Sequence, residues 1–320
     1  MMELKYSLFD GEKLWQGASV KVEDGIISEV TACDPKECGN GFLMPGLMDA
    51  HTHMGTLEQV KLMLAAGISA TCNVSAPAEL IQNAMPFTVI PSAGMAMGVV
   101  VNPVGFVEKA VANGAKYIKV LLLNTLSIGK QALRGIVKAA HEMGLKVAVH
   151  ATEVATVRQA VGAGADILLH VPMKESFPEE LAKSIAAQGI AVAPTLIMMD
   201  TFAHSGRNGY LPEHYSNAET SVKQLYNNGV TILAATDANP GNFAPEVCYG
   251  KSLHHELELL SRAGLPETEV WKAATSNIAD VFGLNMGKIQ PGMDANLLLL
   301  GHRSDYSDIH QLWIRGETIR

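Results

Sequence analysis

Cysteine is scarce in this chain: four in 320 residues, and Cys33, Cys38, Cys72 and Cys248 show no Cys-x-x-Cys spacing. That excludes a disulfide-stapled scaffold. Aromatic residues make up only 6%, so any core must be aliphatic. Basic residues number 24 against 32 acidic ones, a net charge of −8. Phosphate binding needs a concentrated positive surface, so nucleic acid is excluded as the main partner. No apolar run approaches the ~18 residues of a membrane helix, and the longest aliphatic tract, Leu297–Leu300, is strand-sized. The opening MMELKYSLFD has no basic region followed by an apolar stretch, so no secretory signal is expected and the cytoplasm is the expected compartment. Low-complexity segments and repeats beyond a strand–helix period are also missing.

What is present is a hydrophobic fraction of 48%, enough for one large α/β unit with a small companion. Near the start, alternating stretches at Ser19–Val22 and Ile26–Val30 flank Glu23-Asp24-Gly25, a hairpin signal. From about Phe42, short apolar runs alternate with helical stretches such as Lys130–Met143 and Glu153–Ala163. The runs are Leu43–Asp49, Ile68–Val74, Phe87–Ser92, Tyr117–Leu122, Lys146–His150, Asp166–His170, Ala191–Pro194 and Thr231–Thr236. Glycines such as Gly67, Gly114, Gly144, Gly164, Gly189 and Gly229 stand where the intervening helices must end. Eight such units predict a (β/α)₈ TIM-like barrel over residues 42–285. A doubly wound open sheet is the runner-up, but its Gly-rich first turn is missing. The tail from Gly287 returns to strand-and-turn character, so residues 1–41 and 286–320 are expected to pair into one small, discontinuous β-sandwich domain.

Barrel enzymes place their chemistry at the C-terminal ends of the strands. The first run ends Asp49-Ala-His51-Thr-His53, where the i, i+2 spacing turns both imidazoles to one side and Thr52 to the other. The fourth run carries Lys119, the fifth ends in His150, the sixth in His170, and Asp237 follows the eighth. A lone strand-end histidine is usually a satisfied polar residue. Here, though, four of the 11 histidines gather at one predicted rim, together with a lysine whose burial needs a reason. That concurrence points to a metal site. Lys116 lies an odd number of residues from Lys119 and is expected on the opposite face. Asp49 reads either as a hydrogen-bond acceptor orienting the His-x-His strand or as a plain turn residue. Asn73-Val-Ser75 fits a glycosylation sequon and is read as coincidence.

Met44-Pro-Gly-Leu-Met-Asp-Ala-His-Thr-His53 resembles the opening barrel strand of the amidohydrolase superfamily. The resemblance continues through Gly114–Val120, Val147–Ala151, Gly164–His170, Ala234–Asp237, Ala273–Asn277 and Gly287–Asn296, nearly the whole chain. Within that superfamily the chain is most similar to the imidazolonepropionase-related members, which include Xaa-Pro-dipeptidase-like enzymes. The resemblance implies two divalent metals, of which zinc suits the ligand set best. His51, His53 and Asp237 would hold one and His150 and His170 the other. Lys119 would bridge them as a carbamate formed with carbon dioxide, since an ammonium has no lone pair to offer a cation. A metal-bridging hydroxide would then open the amide or cyclic amide C–N bond of a small molecule, with Asp237 accepting and returning the proton.

Two rivals accompany this expectation. His150-Ala-Thr-Glu153 allows a one-metal deaminase or imidazolonepropionase-type ring hydrolase with Glu153 as proton shuttle, but an acidic residue in a first helical turn is the favoured reading of Glu153, because Lys119 fits the two-metal pattern. A non-catalytic barrel scaffold would show decayed ligand positions, and all six are intact. The stretch from Thr195 to Tyr215 reads as a rim loop or lid, in which Arg207, Tyr210 and His214 are candidate substrate contacts and Arg207 a clamp for a carboxylate. The segment Asn124–Ile128 reads as a short loop after the fourth strand. Assembly into a homo-oligomer is left open.

Overall fold

The computed structural model describes residues 1–123 and 128–319. Most of the loop read at Asn124–Ile128 therefore lies outside the described residues. Among the described residues, fifteen strands fall into three sheets. They are β1 (Met2–Phe9), β2 (Leu14–Glu23), β3 (Ile26–Ala32), β4 (Phe42–Pro45), β5 (Leu47–Thr52), β6 (Ile68–Val74), β7 (Thr88–Ser92) and β8 (Met95–Ala96). Then come β9 (Tyr117–Leu121), β10 (Lys146–His150), β11 (Ile167–Leu169), β12 (Ala191–Ala193), β13 (Leu297–Leu300), β14 (Ile309–Ile314) and β15 (Glu317–Thr318).

Strands from both ends of the chain form one mixed sheet in the order β15-β14-β13-β4-β1-β2-β3. The predicted hairpin is β2–β3, and its turn residues Asp24 and Gly25 both take positive φ (50° and 81°), the twist that a two-residue hairpin favours. The sheet wraps its own core: Val20, Val22 and Ile27 cluster with Leu297, Leu299 and Trp313. Ile27 N–H donates to the Met293 carbonyl at 2.9 Å, bringing β3 against the approach to β13. A β-sandwich is expected of these two ends; their strands form one continuous hydrogen-bonded ladder, because β4 pairs with β1 on one side and β13 on the other.

The apolar run read as one strand from Leu43 to Asp49 is two. It divides at Gly46, where a Cβ would meet Ser69 Oγ at 2.8 Å and where the backbone N–H bonds to Asn296. Before Gly46 the chain belongs to the terminal sheet; after it, β5 opens the parallel sheet β5-β6-β7. A second parallel sheet runs β8-β9-β10-β11-β12. The two parallel sheets meet through Lys116 N–H and the Pro91 carbonyl at 2.8 Å. On the far side, residues 231–238 lie between β12 and β5 in isolated bridges, Val192 with Ile232 and Thr52 with Ala238. Leu233 N–H donates to Val192 and Ala50 N–H to Ala234 (2.8 and 2.9 Å). The eighth expected run is thus extended but not a full strand.

Helices cover these strands with the expected periodicity. In Lys130–Glu142, Leu133, Ile136, Val137 and Ala140 are buried, the i, i+3, i+4, i+7 pattern of one apolar face. Gly144 and Gly164, expected to end helices, take positive φ (71° and 84°). The architecture is α/β with mixed and parallel sheets. Among the described residues, no helix is long and apolar enough to cross a membrane.

Candidate functional site

The C-terminal ends of β5, β9, β10 and β11, with residues 236–239, converge on a cavity of about 470 Å³. His51, His53, Lys119, His150, His170 and Asp237 all line it. Alternation along β5 works as the spacing implied: His51 and His53 face the cavity, while Thr52 turns away to bond Thr71 and Asn73, each at 2.9 Å. His51 Nε2 stands 3.2 Å from Asp237 Oδ1, and His53 Nε2 stands 3.0 Å from the same oxygen. Lys119 Nζ is 3.3 Å from His51 Nε2. The rings of His150 and His170 pack edge-on, 4.4 Å between centroids, and His170 lies 5.5 Å from His51. One ligand atom from each of His51, His170 and Asp237 falls within 4.8 Å of the others.

Electrostatics make this set a ligand cage rather than a charge network. Burial, with the Lys119 charge adding to it, pushes His51 down to about 3. Burial likewise pushes His150 and His170 down, so these imidazoles are neutral and keep a lone pair. Lys119, only 2% exposed, is lowered from 10.5 to about 7 by desolvation, against the opposing pull of Asp237. Burial works to raise Asp237, but His51 and His53 hold it well below the usual carboxylate range. Despite its two imidazole neighbours, buried Asp237 Oδ1 has no hydrogen-bond partner; buried His51 Nδ1 is orphaned too. The neutral nitrogens of His51 and His170 beside an unsatisfied carboxylate oxygen are the donor set a divalent cation requires. The residues present therefore fit a metal.

The surrounding backbone is held in uncommon conformations. His170, Thr195 and Asp237 take positive φ (72°, 51° and 57°), unusual for side chains with a Cβ and a genuine outlier for β-branched Thr195. Each has support. Thr195 Oγ1 meets His170 Nδ1 at 2.8 Å, fixing that ring. Glu256, fully buried on the helix Lys251–Arg262, accepts from Leu196 and Ile197 N–H (3.0 and 2.7 Å), capping the helix Leu196–Ser205 that follows Thr195. Asp49 takes the orienting role: its carboxylate accepts from His51 N–H (3.1 Å), Thr236 N–H (3.1 Å) and Thr236 Oγ1 (2.6 Å). Asn73 is wholly buried and accepts from Met54 N–H at 2.6 Å, so it secures the turn after His53 and is closed to glycosylation. Of these supports only Asp49 was legible beforehand. Thr195, Thr236 and Glu256 carried no signal, because their partners lie 25 to 187 residues away.

The other sequence candidates divide. Tyr210 lines the cavity, whereas Arg207 and His214 do not. Arg207 begins an exposed turn, and the His214 ring is engaged locally, its Nδ1 accepting from Leu211 N–H at 3.0 Å. The stretch read as a loop from Thr195 to Tyr215 contains the helix Leu196–Ser205, followed by two short 3-10 turns at Arg207–Gly209 and Pro212–His214. Glu153 precedes the helix Val154–Ala163 at its N-cap, its backbone N–H bonded to Thr156 Oγ1 at 3.3 Å, and its neighbour Thr152 lines the cavity in its place. Lys116 is exposed, whereas Lys119 is buried.

The model of the amidohydrolase family matches residues 93–319. The chain is 23% identical to an imidazolonepropionase of Thermoplasma acidophilum, over 94% of this chain and 86% of that one. Among solved structures it is similar to a Xaa-Pro dipeptidase with methionine bound in its active site (17% identity, TM-score 0.82, 99% of this chain and 98% of the other). It also resembles the A. niger ochratoxinase (19% identity, TM-score 0.81, 99% and 95%). At these identities the structural likenesses speak to the fold alone.

Proposed function

Because the chain belongs to the amidohydrolase family and is a hydrolase acting on carbon–nitrogen bonds, we propose that it hydrolyses an amide or cyclic amide of a small molecule at a two-metal centre. In this reading residues 42–285 form a closed (β/α)₈ barrel and residues 1–41 and 286–320 a companion β domain. The bridges of residues 231–238 to β12 and β5 support closure. His51, His53 and Asp237 would hold one metal and His150 and His170 the other, with Lys119, as a carbamate, the anionic ligand between them. Zinc suits the imidazole and carboxylate donors. When bound, divalent metal supplies Lewis acidity at the scissile carbonyl and water acidic enough to attack near neutral pH.

The protein's own groups do the rest. Lys119, lowered to about 7, has a large neutral fraction at physiological pH, and carbamate formation needs the neutral amine. Asp237, kept ionised, accepts the proton of the attacking water and returns it to the departing nitrogen as the C–N bond breaks, leaving a carboxylate and an amine. Asp49 and Thr195 act as positioning residues, fixing the backbone at His51 and the ring of His170.

The observation that carries this reading is Asp237 Oδ1, buried and without a hydrogen bond between the rings of His51 and His53. Metal analysis beside an amide-hydrolysis screen tests it. Two metals per chain are expected, with turnover abolished by chelation and by Asp237→Asn. One metal per chain, full activity in Lys119→Ala and none in Glu153→Gln would return the reaction to a one-metal proton shuttle. The placement of Glu153 at a helix cap, outside the cavity lining, argues against that alternative.

A further inference from the structure

The catalytic groups occupy the floor of the cavity, and the rest of its wall has one chemical character. Met95, Met97, Met173, Met198 and Met199 line it, so a third of the chain's 15 methionines face this one space. Leu121, Leu123, Phe202 and Phe243 fill the gaps between them. The polar lining outside the metal-ligand set is uncharged: Thr152, Asn208 and Tyr210. Apart from Lys119 on the floor, the described lining contains no lysine or arginine. The four residues outside the described set, Asn124, Thr125, Leu126 and Ser127, carry no charge either. Lys174 comes within 5.7 Å of the Tyr210 ring but is exposed and outside the lining, as is Arg207.

A substrate carboxylate seated in this wall would lose its water and gain no cation, a penalty that grows as the site closes over it. Its remaining option is the metal floor, where it would compete with the scissile carbonyl. Apolar groups gain from the same wall, and unbranched, polarizable methionines adapt to varied shapes. The mouth continues the pattern, since Met97 and Phe243 line the cavity while 46% and 62% exposed.

Resting on the hydrolytic reading above, we infer that the substrate is an electrically neutral amide with hydrophobic groups on both sides of the C–N bond, and not a dipeptide or N-acyl amino acid. Thr152, Asn208 and Tyr210 supply uncharged hydrogen-bonding partners for it, and the methionine wall accepts aryl and branched alkyl substituents alike.

A matched pair isolates the carboxylate. N-benzoylphenylalanine and N-benzoylphenethylamine share both rings and the amide and differ only in that group. Calorimetry on the zinc-loaded protein is expected to show the neutral compound binding at least about tenfold more tightly. Met97→Arg and Phe243→Arg place a cation at exposed lining positions. Each is expected to narrow the preference by about tenfold, by gaining affinity for the carboxylate compound. Equal or tighter binding of the carboxylate compound by the unmodified protein, or binding of neither, overturns the inference. Hydrolysis of the pair is measured separately. Tight binding of the neutral amide without its cleavage would leave the inference standing and remove the hydrolytic reading beneath it.

Discussion

Replacing Lys119 by methionine should stabilise the metal-free protein while crippling its metal centre. The side chain is 2% exposed, and methionine fills a similar unbranched volume, so the packing change is small. What changes is ionisation. Folding lowers the amine from 10.5 to about 7, so between those values the unfolded chain holds a proton that the folded chain has released. Stability contributed by this group therefore rises with pH across that window, and the penalty of keeping lysine is largest below about 7. At about pH 8, with roughly 2.5 pH units still to the unfolded value, the penalty comes to about 3 kcal/mol. Urea denaturation of chelator-treated protein in carbon-dioxide-free buffer should show Lys119→Met more stable by about that amount, with the gain fading as pH approaches 10.5. Zinc titration of the same variant should show one metal bound in place of two, because the bridging anion is gone, and turnover should fall with it. A variant that loses stability like an ordinary core substitution, or that still binds two metals, refutes the reasoning.

Asn73→Ala leaves Met54 N–H and Thr52 Oγ1 without their acceptor in a dry site; a loss of about 2 kcal/mol by chemical denaturation is expected. Weaker metal binding at His53 should accompany it, whereas an unchanged midpoint would mean the turn is held by other contacts. Glu256 is raised from 4.5 to about 8 by burial, so the stability it lends is present below 4.5 and lost as pH rises through about 8. Over that window the unmodified protein should lose stability more steeply than Glu256→Gln, by at most about 1.4 kcal/mol per pH unit; parallel pH profiles would show that the carboxyl does not titrate there. Thr195→Val keeps the shape but removes the hydroxyl beside His170 Nδ1, and about tenfold weaker affinity for the second metal is expected by competition with a chelator.

The candidate metal site was legible because its members sit at strand ends, where a period of two and a glycine-punctuated strand–helix rhythm place them without knowledge of the third dimension. His51 and His53 illustrate this: their shared facing follows from spacing alone. The methionine wall was not legible. Met95 and Met173 look like any core residue in sequence, and only the convergence of separate rim segments turns them into one surface. Glu256 failed for the opposite reason, since an acidic residue on an amphipathic helix reads as solvated until a helix end is found above it. Likewise, nothing local told that Gly46 divides one apolar run between two sheets; the cause is the close approach of Ser69.

The carboxylate of Asp49 has a bearing on how the protein comes into being. It ties the strand of His51 to Thr236, 187 residues later in the chain. A chain emerging from the ribosome at about 5–20 residues per second makes the first half of that pair many seconds before the second. Until the later segment arrives, Asp49 has no Thr236 to hold, and Asp237 is not yet there to complete the cage. The terminal sheet waits longer still, because β4 needs β13. At the proposed metal centre, capture would thus be deferred until Asp237 has emerged, and a nascent chain stalled before it would expose His51 and His53 without that carboxylate oxygen.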